Sequence, residues 1–224
     1  LCGLGKEAGA ALSSHPDVNQ IVFTGSVATG SAIASAAAKN IVPCTLELGG
    51  KSAAIVFDDA DIDNLIDSIR WGIFYNAGQV CSAMSRVIVP QKLHDEISER
   101  AGELAKSLSV GPGSERTKFG LNMGSMISEL QRDRAINLCQ KAQTEGATTV
   151  TGGHKLNRPG WFLEPTVFSN VKPDMEIAQV EVFGPVLSII PYETDEQAIS
   201  IANGTEYGLV SGVFTKDLDR AMSS

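Results

Sequence analysis

The sequence predicts an α/β protein built around a mostly parallel sheet, and three observations carry that expectation. Short apolar runs such as "QIVF", "AAIVF", "RVIVP" and "VLSIIP" recur with stretches of helical length between them. The segment "DADIDNLIDSIRWGIFYNAG" places Ile62, Leu65, Ile66, Ile69, Ile73 and Phe74 at helical spacing. Glycine and aspartate breaks punctuate the joins, as in Gly49-Gly50 and Asp58-Asp59.

The elements follow in order. "LCGLGKEAGAALSSHPDV" opens with Gly3 and Gly5 in a turn and runs into a short Ala-rich helix ended by Ser13, Ser14 and Pro16. "NQIVFTGS" is a strand closing at Thr24-Gly25, and "VATGSAIASAAAKN" is a helix of small residues able to lie close to a sheet. "CTLELGGKSAAIVFDDADI" gives a strand, the glycine break and a second strand. In the amphipathic helix that follows, Asp61 suits the N-cap and Gly78 the C-terminal stop. "SRVIVP" resumes a strand, and "KLHDEISERAGELAKSL" is a helix with Leu93, Ile97, Leu104 and Leu108 set against a charged face. After the polar loop "GPGSERTKFG" come the helix "SELQRDRAINLCQKAQTEG", stopped at Gly146, and the strand "ATTVTGG". "WFLEPTVF" reads as an edge or irregular strand because of Pro165, "EVFGPVLSIIPYE" as a buried strand and "DEQAISIAN" as a helix.

With 224 residues, 43% of them hydrophobic, the chain can bury a core as one large domain or parts of two. Its 26 acidic against 18 basic residues, net charge -8, argue against a nucleic-acid partner. No apolar run reaches the roughly 18 residues of a membrane span, and no signal-peptide pattern opens the chain. Cys2, Cys44, Cys81 and Cys139 form no CxxC pair, so no metal site is expected, and free thiols in a reducing, cytoplasmic setting are. Leu1 in place of methionine, and "DLDRAMSS" stopping inside an apparent helix, lead to the expectation of an internal piece of a longer protein.

Three places could carry chemistry. An isolated cysteine is most often a small buried hydrophobe, but Gly78, Ser82 and Ala83 leave Cys81 little steric cover just past a helix end. A nucleophilic thiol needs a base or local positive potential. Glu47, between Leu46 and Leu48 and followed by two glycines, is either a solvated edge residue or a half-buried acid whose raised pKa would suit a general base. In "FTGSVATG", Gly25, Ser26, Thr29 and Gly30 open a helix and could present N–H groups to a phosphate; tight packing explains them equally well.

Taken together and in this order, "FTGSVATG", "LELGGKS" and "GQVCSAMSR", then "LEPTVF" and "EVFGPV", resemble the aldehyde dehydrogenase superfamily across essentially the whole chain. The resemblance implies that residues 1–49 are the C-terminal part of a Rossmann-type dinucleotide-binding domain and residues 50–224 most of an α/β catalytic domain. It implies Cys81 as nucleophile and Glu47 as general base. It implies NAD or NADP as cofactor, held by Gly25, Ser26, Thr29, Gly30, the Leu48 backbone, Glu181 and Phe183. An aldehyde is the implied substrate, with Tyr75, Val80 and Ser82 flanking the nucleophile, and a homodimer or homotetramer the implied assembly of the full-length protein. Val180 and Ala53 depart from the family pattern, where an acid and a proline are common. The oxyanion asparagine and the cofactor-selecting residues of such proteins would lie upstream of Leu1, so the isolated piece is expected to show little or no aldehyde oxidation. Rival expectations are a CoA-acylating aldehyde dehydrogenase and an inactive protein that retains the fold; a cysteine hydrolase would need a partner from His15, His94 or His154, none of which has a supporting motif.

Overall fold

A computed structural model describes residues 1–115 and 122–224. From residue 116 on, the polar loop expected over residues 111–120 lies outside the described residues. The chain divides into two compact units, Leu1–Gly49 and Gly50–Ser224.

In the first unit a π-helical turn, Gly5–Gly9, leads into helix α1 (Ala10–Ser13), where the sequence suggested one short helix. Strand β1 (Ile21–Thr24), helix α2 (Val27–Lys39) and strand β2 (Cys44–Glu47) form a parallel β-α-β unit, with Ile21 registered on Cys44 and Thr24 on Glu47. Ser26 starts α2 as an extended N-cap whose Oγ accepts the Thr29 N–H at 3.3 Å. Lys39 in its last turn complements the helix dipole.

In the second unit the strands are β3 (Ala53–Val56), β4 (Arg86–Pro90), β5 (Ser109–Val110), β6 (Asn122–Met123), β7 (Thr148–Thr151), β8 (Thr166–Ser169), β9 (Val186–Tyr192) and β10 (Ser211–Phe214). The helices are α3 (Ile62–Ile73), α4 (His94–Ser107), α5 (Glu129–Glu145), α6 (Glu176–Gln179), α7 (Asp195–Asn203) and α8 (Leu218–Met222). A six-stranded sheet runs β10-β3-β4-β9-β8-β7, parallel except where β7 pairs antiparallel with β8. β3, β4 and β8 are buried along their whole length and β9 nearly so, which is why they read as unbroken apolar runs. Helix α4 packs on β7, β8 and β9 through Ile97, Ala101 and Leu104, while α7 packs on β3 and β4.

Two expectations are corrected here. Strand β8 is interior, between β9 and β7, rather than an edge, because Pro165 precedes its first residue and withdraws no N–H from the ladder; the irregular alternative holds in its pairing with β7, whose register shifts between Thr149 and Thr151. Helix α3 ends at Ile73 rather than Gly78, although Asp61 caps it as expected, accepting the Asn64 N–H at 3.1 Å. The terminal helix α8 is anchored by Arg220, which donates to both Asp195 oxygens at 2.8 and 2.7 Å and to Asp58 at 2.7 Å, with its guanidinium 4.1 Å from the Phe57 ring centroid.

Candidate active site

Helix α3 stops because three successive residues, Asn76 (φ 51°), Ala77 (φ 53°) and Gly78 (φ 69°), adopt left-handed conformations that a right-handed helix cannot continue. They swing the chain into a turn closed by the Ala83 N–H on the Val80 carbonyl at 3.1 Å, with Cys81 inside it. Cys81 is half-buried and free, whereas Cys139 is fully buried and burial pushes its thiol up to about 12. The inert-core role thus belongs to Cys139, while Cys81, like Cys44 and the more exposed Cys2, keeps access to solvent.

Close backbone approaches fix this loop. A Cβ at Gly78 would lie 2.1 Å from the Gly184 carbonyl oxygen, so the cysteine loop rests directly on the "FGPV" segment. A Cβ at Gly50 would lie 2.8 Å from the Cys81 carbonyl oxygen. The Gly50 N–H in turn donates to Glu181 Oε1 at 3.2 Å, so Cys81 and Glu181 share Gly50 as a neighbour. Burial raises the Glu181 pKa; the Gly50 N–H and the charges of Arg134 and Lys51 oppose the rise. Arg134 on α5 also clamps this segment from behind, donating to the carbonyls of Glu181 at 2.8 Å and Val182 at 3.2 Å, while Phe183 is held at φ 54°.

Lys51 lies beneath. It is 2% exposed and its Nζ has no hydrogen-bond partner among the described residues, and burial first, then the Arg86 charge, lowers its pKa to about 7. Arg86, the last residue of "GQVCSAMSR", is likewise buried and donates to the carbonyls of Lys51, Ile201 and Ala202, each at 2.8 Å. It welds the start of β4 to β3 and to the end of α7.

The first unit gathers the other candidates. The Gly25 N–H donates to the Glu47 carbonyl at 3.0 Å, joining the turn before α2 to the end of β2. Ser26 Oγ lies 3.0 Å from Thr29 Oγ1, and both residues, with Gly25, are exposed at the first turn of α2. A Cβ at Gly30 would stand 2.6 Å from Leu48 Cδ2, so that glycine lets the helix close onto the strand end. Glu47 is exposed, the solvated alternative of the two that its sequence context left open. Leu46 and Leu48 take the more covered face of the strand and Glu47 the opposite one.

The sequence reading passed over Gln79, Lys51, Arg86 and Arg134. Three of them sit inside the motifs read only for their glutamate and cysteine, which was the available signal; Arg134 offered none, because its partners are 47 and 48 residues away. His94 is committed elsewhere, with Nδ1 2.8 Å from Asp95 and Nε2 accepting the Asn170 N–H at 3.2 Å. Among the described residues no group of three or more His, Cys, Asp or Glu is placed to hold a metal ion, and no helix is long and apolar enough to cross a membrane.

Fold and loop geometry define the class: an α/β protein that presents a half-open cysteine on a backbone-braced turn. Residues 1–224 match the aldehyde dehydrogenase family, and the chain belongs to that family. It is 45% identical over 223 residues to an aldehyde dehydrogenase of Emericella nidulans, covering 99% of this chain and 44% of that protein. Against the chloroplastic betaine aldehyde dehydrogenase of Beta vulgaris the identity is 43% over 220 residues, covering 97% and 43%. The NAD+ complex of an aldehyde dehydrogenase from Bacillus cereus superposes with a TM-score of 0.94 at 39% identity, covering 99% of this chain and 44% of that one. The chain therefore spans less than half the length of these relatives.

Proposed function

We propose that the whole protein oxidises an aldehyde to a carboxylic acid with NAD+ or NADP+, through a thioester on Cys81. The observation that carries this reading is the half-open Cys81 thiol on a loop whose backbone is fixed by Gly50 and Gly184. The Cys81 thiolate adds to the aldehyde carbon, and the backbone N–H of Cys81 stabilises the resulting alkoxide. The residues present suit a dinucleotide: the exposed first turn of α2 at Gly25, Ser26 and Thr29, with buried Gly30 letting the helix pack close behind it, suits a pyrophosphate, the Glu181 carboxylate suits ribose hydroxyls beside Phe183, and the Leu48 backbone suits the carboxamide. When bound, that cofactor supplies the acceptor for the hydride that leaves the thiohemiacetal carbon. Glu47 then takes a proton from water, the hydroxide adds to the thioester carbonyl, and the Cys81 thiolate departs as the carboxylic acid forms. The exposure of Glu47 supports this role, since a base for water must meet water.

Glu47 also favours hydrolysis over transfer to CoA, because a thiol acceptor has no need of a base for water. A cavity of about 350 Å³ lies by Lys51, Tyr207 and Leu209, and one of about 240 Å³ is lined by Trp71, Phe74, Tyr75 and Met123. Tyr75, which lines the second, supports a medium-sized or aromatic aldehyde. Free Cys2, Cys44, Cys81 and Cys139 support a cytoplasmic site of action.

In the whole protein, Cys81→Ala should abolish aldehyde-dependent NADH formation, and Glu47→Gln should give one rapid turnover of NADH followed by slow hydrolysis with the acyl group trapped on Cys81. Mass spectrometry of the quenched enzyme reads the adduct. Wild-type steady-state rates in either variant would remove the role assigned to that residue, and product formation that requires CoA would replace hydrolysis with acyl transfer.

A further inference from the structure

The carboxamide of Gln79, two positions before Cys81, bonds on both sides. Its Oε1 accepts the Ile127 N–H at 2.8 Å, and its Nε2 donates to the carbonyls of Asn76 at 3.2 Å and Ser125 at 3.5 Å. Accepting from residue 127 while donating to residue 125 is how a strand residue pairs with a neighbouring strand, performed here by a side chain. Asn76 completes the bracket: its Nδ2 donates to the Gln79 carbonyl at 3.0 Å, and the Gln79 N–H returns to the Asn76 carbonyl at 3.2 Å. The segment that Gln79 grips is itself fixed. Met126 is buried, its N–H donates to the Trp161 carbonyl at 2.9 Å, and its Cε would stand 3.3 Å from a Cβ at Gly184.

Left-handed Asn76 and Ala77 persist only if their surroundings hold them there. Gln79 supplies that restraint on the Cys81 side of the bend. We propose that Gln79 is a positioning residue for the Cys81 thiol, transmitting the fixed position of residues 125–127 to the nucleophile loop; this rests on the reading of Cys81 as nucleophile. The site requires one acceptor and one donor at glutamine's length. A carboxylate there would set a second oxygen against the Asn76 and Ser125 carbonyls, and a methionine would fill the space with no hydrogen bond.

The test compares Gln79→Met, Gln79→Glu and Cys81→Ala with the wild type in the whole protein. Misplacing a reacting group by about 1 Å lowers rates by about a hundredfold, so kcat should fall ten- to a hundredfold in Gln79→Met, with NAD+ affinity within about twofold because Gln79 makes no hydrogen bond to Glu181 among the described residues, and with faster hydrogen exchange at the Ile127 amide. In Gln79→Glu the deficit relative to wild type should shrink as pH falls, since a protonated carboxyl regains the donor. A Gln79→Met enzyme with wild-type kcat, a loss of kcat and NAD+ affinity together, or a Gln79→Glu deficit that ignores pH overturns the inference. Oxidation by Cys81→Ala would instead overturn the nucleophile reading.

Discussion

Gly78 and Gly184 meet backbone to backbone. A methyl group at residue 78 would stand 2.1 Å from the Gly184 carbonyl oxygen and 2.3 Å from its carbonyl carbon, and the φ of 69° at Gly78 already disfavours any side chain. On the far side of Gly184 lie Met126 Cε and Ala135 Cβ, at 3.3 and 3.4 Å from where its own Cβ would be. The cysteine loop, the "FGPV" segment and the start of α5 are therefore stacked without room for an intervening side chain.

Gly78→Ala should accordingly be among the most damaging single-methyl changes in the chain. The left-handed backbone alone costs about 1–2 kcal/mol in an L residue, and the clash is with main-chain atoms that cannot rotate away. Urea denaturation should show a lower midpoint with an unchanged slope, and alkylation of Cys81 by iodoacetamide should change rate as the loop shifts. A midpoint and alkylation rate equal to wild type would mean that the loop has slack.

The α/β class was legible because β3, β4, β8 and β9 are buried on both faces, and burial on both faces leaves a plain apolar run in the sequence. The end of α3 was not legible, since Phe74 continues the apolar pattern and the left-handed run at Asn76 and Ala77 leaves no trace in periodicity. Pro165 misled because one residue decides whether a proline breaks a ladder or merely precedes it. The exposure of Glu47 was readable: alternation of Leu46, Glu47 and Leu48 puts the acid opposite the leucines. The bond between Gln79 and Ile127 was out of reach, because the two residues lie 48 positions apart in the chain.

Glu181→Gln separates charge from shape. Glutamine keeps an Oε1 for the Gly50 N–H and loses only the ionised form. Because burial raises the Glu181 pKa, the wild-type carboxylate takes up its proton at higher pH than an exposed glutamate does. The acceptor proposed for ribose hydroxyls is therefore depleted earlier on acidification. NAD+ affinity measured by calorimetry should fall as pH is lowered in the wild type, at higher pH than an exposed glutamate would impose. It should be about tenfold weaker at neutral pH in Glu181→Gln, and nearly flat with pH. A wild-type affinity that does not change on acidification would detach Glu181 from the cofactor.

Lys51→Met should stabilise the fold while weakening cofactor binding. The unfolded lysine titrates near 10.5 and the folded one at about 7, so across that window the unfolded chain binds a proton that the native chain has released. Stability then rises with pH from about 7 to 10.5, and below that window the fold carries a buried ammonium whose Nζ has no hydrogen-bond partner among the described residues. Methionine fills a similar volume without the charge, so the rise should flatten and the variant should exceed wild type by roughly 1–4 kcal/mol at pH 6. Urea melts of both proteins at pH 6, 8 and 10 measure this. The same substitution removes a positive charge that helps keep Glu181 ionised, so NAD+ affinity near neutral pH should drop. Parallel stability curves for the two proteins would show that the pH dependence arises elsewhere, and unchanged affinity would show that Arg134 and the Gly50 N–H suffice to hold the Glu181 charge.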